Sequence, residues 1–128
     1  MKNINLLVAL SFLFAALFFV SCEKEDDHDH IVSNDGLQAR MAYTEKGYTE
    51  VEVAPVIKSD CYFAKWDKNI IVPVSGLFEY YDTDGNWVAS ISFGDGSCDE
   101  WATKNWDTSL FPDYPEGNID FSVLDYKK

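Results

Sequence analysis

The sequence predicts an all-β fold, a small antiparallel β-sandwich or partly open barrel, on two observations. Aromatic residues make up 16% of the 128 residues, and helix-forming Ala, Leu and Gln are sparse after residue 45, which favours pleated, half-buried surfaces. Short runs of alternating apolar and polar residues are separated by Gly, Asp and Asn clusters, the pattern of strands joined by turns. A chain of this length allows one domain, with about 100 residues to bury a core.

The first elements of the domain follow a turn signal at residues 34–36, which read Asn-Asp-Gly. The next segment, residues 37–43, is compatible with either a helical turn or a strand. Further along, strict alternation places Val51 and Val53 on one face of a strand and two glutamates on the other. Because Pro55 has no N–H for a ladder hydrogen bond, we expect this strand to end there or to lie at a sheet edge.

The strongest local signal is a β-hairpin with strands over residues 74–81 and 87–93. Residues 82–86 join them and contain Asp-Gly, a strong short-range indicator of a hairpin turn. The residues predicted on the buried face of the second strand are Trp87, Ala89, Ile91 and Phe93.

The end of the chain predicts one more strand and, before it, a long loop. The strand covers residues 119–126 and turns its alternate apolar residues inward: Ile119, Phe121 and Val123. Between residues 94 and 117 the alternation lapses, and long loops in compact domains are usually functional or fixed by packing. Trp101, Trp106 and Tyr114 form the candidate binding loop, with flat apolar faces for sugar rings or a protein partner. The alternative is that both tryptophans cover the open end of the sandwich.

The charge balance of the chain excludes nucleic acid as an expected partner. The sequence carries 22 acidic residues against 10 Lys and Arg, a formal net charge of −12 at neutral pH. A surface of this sign repels phosphate backbones and anionic lipid headgroups. Attachment to a membrane must therefore come from an anchor rather than from a basic patch.

The first 21 residues have the layout of a secretory signal peptide. A short start with one positive charge precedes an apolar run over residues 6–20, which ends at the small residue Ser21. This run is too short for a transmembrane helix, which needs about 20 residues to cross the hydrocarbon of a bilayer. Residues 19–22, Phe-Val-Ser-Cys, resemble a bacterial lipobox. The resemblance implies cleavage before Cys22 and attachment of acyl chains to it, which gives stable membrane anchoring.

The charged residues after Cys22 are predicted to form an acidic tether over residues 22–36. Residues 23–27, Glu-Lys-Glu-Asp-Asp, resemble the Lys-plus-acidic export signal of surface lipoproteins in the Bacteroidetes. That resemblance implies a lipid-anchored protein of the outer membrane, displayed on the cell surface, while the alternative for the same residues is a solvated spacer. His28 and His30 alternate with acids here, but a flexible tail offers no preorganised metal geometry, so no metal site is predicted.

Two cysteines, Cys61 and Cys98, remain once Cys22 is assigned to lipid. An even pair of cysteines in an exported protein most simply forms a disulfide, since the environment is oxidising. The bond would close a loop of about 38 residues, for which the chain-entropy estimate is roughly 4 kcal/mol. The alternative is a pair of free thiols.

The same cysteines belong to a longer pattern. Cys61, then Val-Pro-Val-Ser-Gly at residues 72–76, then Phe-Gly-Asp-Gly-Ser-Cys-Asp at residues 93–99 stand in one order. Over residues 60–103 the chain resembles a recurring domain of Bacteroidetes surface lipoproteins with a "C…PVSG…(F/Y)GDGxCD" signature. The resemblance implies an exported β-structure with a cysteine bridge, and it implies no chemistry. The sequence departs from the pattern after Thr103, so the resemblance says nothing about the segment that follows.

Catalytic and metal-binding patterns are weak in this sequence. A Ser or Cys nucleophile needs a base within reach, usually His, and both histidines precede the domain. A carboxylate pair of the glycosidase type remains an alternative. Asp82, Asp84 and Asn86 place three oxygen side chains at alternate positions, as a calcium loop does, yet an Asp-Gly hairpin turn requires the same residues. We therefore predict no enzyme, no cofactor and no metal, with calcium at this turn as the weak alternative.

These observations predict a signal peptide over residues 1–21, a lipidated tether over 22–36 and a β-domain over 37–128. The expected function is that of a surface-displayed lipoprotein acting as a non-catalytic binding module of the cell envelope, with a glycan or an envelope protein as its partner. One alternative is a structural or accessory subunit of an outer-membrane assembly. A second alternative is a small carboxylate-dependent hydrolase.

Overall fold

A computed structural model of the chain describes residues 30–127, which form seven strands and one helix. In chain order these are β1 His30–Ser33, α1 Leu37–Thr44, β2 Thr49–Phe63, β3 Lys68–Tyr81, β4 Trp87–Asp95, β5 Trp101–Trp106, β6 Asn118–Ser122 and β7 Leu124–Lys127. Strands β2 to β6 form one antiparallel sheet in sequence order, and β1 pairs with β7 as a separate two-stranded ribbon. The prediction of a small antiparallel all-β fold is confirmed.

The ribbon begins earlier than the sequence predicts. His30 is the register partner of Lys127, and the N–H of Asn34 donates to the carbonyl of Val123 at 2.8 Å. Residues 30–36 therefore belong to the fold rather than to a tether that extends to Gly36. The predicted signal peptide, the lipidation site Cys22, the export signal and His28 lie outside the described residues. Within residues 30–127, no helix has the length and apolarity needed to cross a membrane.

The core lies between the five-stranded sheet and a cover made of α1 and the ribbon. Phe78 and Tyr80 of β3 are buried against Tyr43 of α1, and Ile31 and Leu124 of the ribbon belong to the same cluster. The segment 37–43, compatible with helix or strand in the sequence, is thus helical. Helix α1 occupies the face of the sheet on which the largest aromatic side chains lie.

Arg40 fixes α1 to the sheet. Its Nε donates to Glu50 Oε2 at 3.1 Å, a second guanidinium nitrogen donates to Oε1, and its Cζ lies 3.8 Å from the ring centroid of Phe78. The hydroxyl of Tyr80 donates to the same carboxylate at 2.8 Å. The hydrogen bond from Arg40, more than any other contact, lowers the pKa of Glu50. Glu50 therefore faces the core side of β2, while Val51 and Val53 share the exposed face.

The expectations for Pro55 and for the β-hairpin over residues 74–81 and 87–93 hold. Strand β2 is an edge strand and continues past Pro55, with an irregular register between Ala54 and Ile57. Strands β3 and β4 pair antiparallel and are joined by residues 82–86. A proline is tolerated in β2 because an edge strand has one side free of ladder bonds.

The predicted face of β4 is only partly correct. Ile91 and Phe93 are buried as predicted, whereas Trp87 is 37% exposed and Val88 on the other face is fully buried. A register irregularity separates the Tyr80 pairing with Ala89 from the Tyr81 pairing with Trp87. A bulge of this kind breaks the period of two on which the prediction depended.

Two predictions for the second half of the chain are wrong. The segment expected to be a loop contains β5, and the predicted last strand is split at Val123 into β6 and β7. Val123 is 1% exposed, and its N–H donates to the carbonyl of Glu100 at 2.8 Å, so the chain changes sheets there. Ile119, predicted to face inward, is 54% exposed because β6 is the edge strand of the larger sheet.

The predicted disulfide between Cys61 and Cys98 is present, with a Cα–Cα distance of 5.5 Å. The two glycine-containing halves of the "PVSG…FGDG" pattern also meet, since the N–H of Gly96 donates to the carbonyl of Val74 at 2.8 Å. Gly76 has φ +136°, and a Cβ there would lie 2.9 Å from Val56 Cα. The close approach of Val56 thus accounts for the glycine at position 76.

Candidate binding groove

Trp101 and Trp106, predicted to act together in one loop, lie at the two ends of β5 and on opposite faces of the sheet. Trp106 pairs with Ala89 on the face that α1 covers, whereas Trp101 pairs with Ser122. Successive side chains of a strand alternate between faces, so two residues an odd number of positions apart point in opposite directions. Trp101 is 52% exposed and takes no part in the site described next.

Trp106 and Tyr114 line a groove of about 300 Å³ on the α1 side of the sheet. We call it the aromatic groove; its lining residues are Ala42, Tyr43, Lys46, Lys104, Trp106, Phe111, Tyr114 and Ile119. The volume is at the lower end of the range for ligand pockets. The structure therefore brings two of the three predicted binding residues together and adds others that the sequence did not indicate.

Three parts of the chain build the aromatic groove. Helix α1 supplies Tyr43, and the turn after it supplies Lys46. Strand β5 supplies Lys104 and Trp106, which are two positions apart and therefore share one face. The turns between β5 and β6 supply the remaining aromatic rings. Of these residues, Lys104 could have been found from sequence by reading residues 101–106 as a strand.

Hydrogen bonds hold the turns between β5 and β6 in place. The N–H of Trp106 donates to the carbonyl of Gly117 at 3.0 Å, and its indole Nε1 donates to the carbonyl of Tyr114 at 2.8 Å. The carboxylate of Asp107 accepts from the backbone N–H of Ser109 at 2.8 Å and from its hydroxyl at 2.6 Å, which lowers the pKa of Asp107. The rings of Trp106 and Tyr114 meet edge to face, with centroids 6.5 Å apart.

The groove combines uncharged aromatic faces with two cations. Lys104 Nζ lies 5.9 Å from the ring centroids of both Tyr43 and Trp106, and Lys46 Nζ lies 5.4 Å from that of Phe111. Burial raises the pKa of Tyr43 to about 12, so its ring stays neutral. Such a surface can stack on a flat ligand and hydrogen-bond it, and ammonium groups over ring faces are themselves stabilised.

The calcium candidate does not form a comparable site. Oδ1 of Asp82 accepts from the N–H groups of Asp84 and Asn86 at 2.9 and 2.8 Å, and Oδ2 accepts from the Asn86 amide at 3.1 Å. These bonds lower the pKa of Asp82 and build the hairpin turn, so its oxygens already have partners. In the part of the chain that the structure describes, no group of three or more His, Cys, Asp or Glu is placed to hold a metal ion.

Comparisons with protein-family models, with curated proteins and with solved structures gave no match to this chain. The features of the chain that bear on function are therefore the aromatic groove and the sequence signals before residue 30.

Proposed function

We infer that the protein is a surface-displayed lipoprotein whose domain is a non-catalytic binding module of the cell envelope, with a glycan as ligand. The observation that carries this proposal is the aromatic groove, in which the rings of Trp106, Phe111 and Tyr114 surround one small cavity. Sugar rings have apolar faces that stack on aromatic side chains while their hydroxyls bond polar groups at the edge.

The groove is prepared for binding before any ligand arrives. Trp106 is held by its backbone and indole hydrogen bonds to the turns between β5 and β6, and Tyr43 is buried in the core. A site whose side chains are already fixed loses little conformational entropy on binding. Tyr114 is 61% exposed and offers its ring at the entrance.

The envelope location is supported by the sequence rather than by the fold. The signal-peptide layout, the lipobox resemblance at Cys22 and the acidic run after it all favour a lipid-anchored surface protein. The disulfide between Cys61 and Cys98 fits an oxidising compartment. A glycan-binding module is useful in that place because envelope and environmental polysaccharides are accessible there.

Binding is tested with the full chain in detergent against a panel of soluble neutral and acidic polysaccharides, by affinity electrophoresis. We expect retardation by at least one polysaccharide, lost in Trp106→Ala and in Tyr114→Ala. Tyr114→Ala is the decisive variant, since truncating an exposed side chain changes stability little. Trp101→Ala is the matched control, because it removes a tryptophan from the other face of the same strand.

Two results would contradict the proposal. Retention of binding in both groove variants would place the ligand elsewhere on the molecule. A glycan ligand would be rejected if the wild-type protein, shown by its melting curve to be folded, bound no polysaccharide in the panel.

A further inference from the structure

The charged side chains that line the aromatic groove are both cationic. Lys46 and Lys104 are in the lining, and no Asp or Glu of the described part of the chain is among the lining residues. This is unusual for a chain with 22 acidic residues and a net charge of −12. The local charge of the groove is therefore opposite to that of the protein as a whole.

The positions of the two ammonium groups are set by the rings around them. Lys104 Nζ lies 5.9 Å from the ring centroids of both Tyr43 and Trp106, and Lys46 Nζ lies 5.4 Å from that of Phe111. Cation–π attraction keeps both groups at the groove instead of letting them extend into solvent. Among the described residues 30–127 neither lysine forms an ion pair, so both charges are available to an anion.

The carboxylates of Asp107 and Glu50 accept hydrogen bonds from residues outside the groove lining. Asp107, next to Trp106 in the chain, accepts the hydrogen bonds of Ser109 described above. Glu50, on the strand beside Tyr80, is bound by Arg40 and the Tyr80 hydroxyl. The more distant acids are screened at physiological ionic strength, where the Debye length is about 8 Å. Lys46 and Lys104 are thus the charged side chains that line the groove itself.

We propose that the aromatic groove binds an acidic sugar residue, one that carries a carboxylate or a sulfate. The ring of the sugar stacks on Trp106 and Tyr114, and its anionic group accepts hydrogen bonds from Lys104 and Lys46. This proposal rests on the proposed function and names the chemical class of its ligand. The proposal depends on charge complementarity between the lysines and the anionic group. The aromatic rings alone would bind a neutral sugar as well as an acidic one.

The test uses two pairs of probes, in each of which one member carries anionic groups and the other has those groups esterified or removed. Hexagalacturonate is compared with its methyl ester, and a κ-carrageenan hexasaccharide with its desulfated form, by calorimetry with the full chain in detergent. We expect one acidic probe to bind about tenfold or more tightly than its neutral counterpart, as charge-assisted hydrogen bonds imply. Which pair shows the difference distinguishes a carboxylate ligand from a sulfate ligand.

The lysine variants locate the charge effect. Lys104→Met and Lys46→Met replace the ammonium group by an uncharged side chain of similar length, and each is expected to weaken acidic binding several-fold more than it weakens neutral binding. Lys68→Met is the control: it changes the net charge equally at the far end of β3, about 40 Å along the strand from Tyr80. If Lys68→Met weakened binding of the acidic probe as much as the groove variants do, only the overall charge of the protein would matter. That result would overturn the proposal.

The outcomes separate this inference from the proposed function. If neutral and acidic probes bind equally and Trp106→Ala abolishes both, the acidic class is wrong and the glycan-binding function stands. The same conclusion follows if only neutral polysaccharides of the larger panel bind. If no probe and no polysaccharide binds, both proposals are rejected.

Discussion

The ring of Tyr43 on α1 stacks on the ring of Tyr80 on β3, with centroids 4.6 Å apart and an interplanar angle of 29°. Tyr80 is fully buried in the sheet, while Tyr43 contributes to the wall of the aromatic groove. The stack thus makes one wall of the groove a part of the hydrophobic core. Loss of this contact is expected to affect stability and binding together.

Tyr43→Ala should lower the free energy of unfolding by about 3 kcal/mol, because it removes a buried aromatic side chain and leaves a cavity against Tyr80. Urea unfolding measures the change. Met41→Ala on the same helix is the control, and since Met41 is largely exposed the change there should stay within about 0.5 kcal/mol. Similar losses in the two variants would contradict the role of the stack.

Acid should destabilise the fold partly through Glu50. The pKa of this carboxyl is lowered in the folded state, chiefly by the hydrogen bond from Arg40, so its contribution is fully present above the unfolded pKa of about 4.3. That contribution is lost as the pH falls through the lower folded value. Unfolding by urea between pH 6 and pH 3 should therefore show a shallower pH dependence in Glu50→Gln than in the wild type.

The exposed Glu52 provides the comparison for that measurement. Glu52→Gln changes the same chemical group on the same strand but without the contact to Arg40. Its pH profile should follow that of the wild type, and a profile as shallow as that of Glu50→Gln would show that the Arg40 contact is not the cause.

Reduction of the disulfide should lower stability by about 4 kcal/mol, since Cys61 and Cys98 are 37 positions apart and their link restricts the unfolded chain. Melting curves with and without dithiothreitol measure the effect. The double variant Cys61→Ala with Cys98→Ala should melt at the lower temperature in both conditions, and a wild type insensitive to reductant would contradict the prediction.

Gly76→Ala should destabilise by more than about 2 kcal/mol, because the added Cβ meets Val56 Cα at 2.9 Å on a backbone with φ +136°. Gly47→Ala is the matched control: its φ is +88°, and nothing lies within 4 Å of the added Cβ. The control should lose about 1 kcal/mol from backbone strain alone. Thermal denaturation of the two variants separates close approach from strain, and equal losses would rule out the contact with Val56.

Cys22→Ser should release the protein from the membrane fraction, because attachment of the lipid requires the thiol. Fractionation of expressing cells, followed by immunoblotting, checks this. Cys61→Ser serves as the control for loss of a cysteine and should remain in the membrane fraction. Continued membrane association of Cys22→Ser would refute the lipid anchor.

The parts of this fold that depend on local sequence signals could be predicted. The parts that depend on contacts between residues far apart in the chain could not. The β3–β4 hairpin was predictable because its turn, residues 82–86, lies within the pattern that specifies it. The ribbon was missed because its strands are far apart in sequence; Asn34 bonds Asp125 across 91 positions. No local pattern in a four-residue strand indicates a partner at that distance.

The candidate site was predictable to a similar extent. Trp106 and Tyr114 were selected for their large aromatic rings, but Trp101 was grouped with them because the intervening strand was read as a loop. Lys46 was out of reach of sequence reasoning, since it meets Phe111 only after α1 packs on the sheet. A strand assignment for residues 101–106 would have separated the tryptophans and paired Trp106 with Lys104.

The pairing of β1 with β7 has a topological consequence. His30 and Lys127 are register partners, so the two ends of the domain lie side by side, about 5 Å apart at Cα. A short peptide could join them, and the chain could then be opened at Gly85 in the β3–β4 turn without breaking any strand. The domain should therefore tolerate circular permutation, since joining the two ends and opening a turn would change the order of the strands along the chain but not their pairing in the sheet.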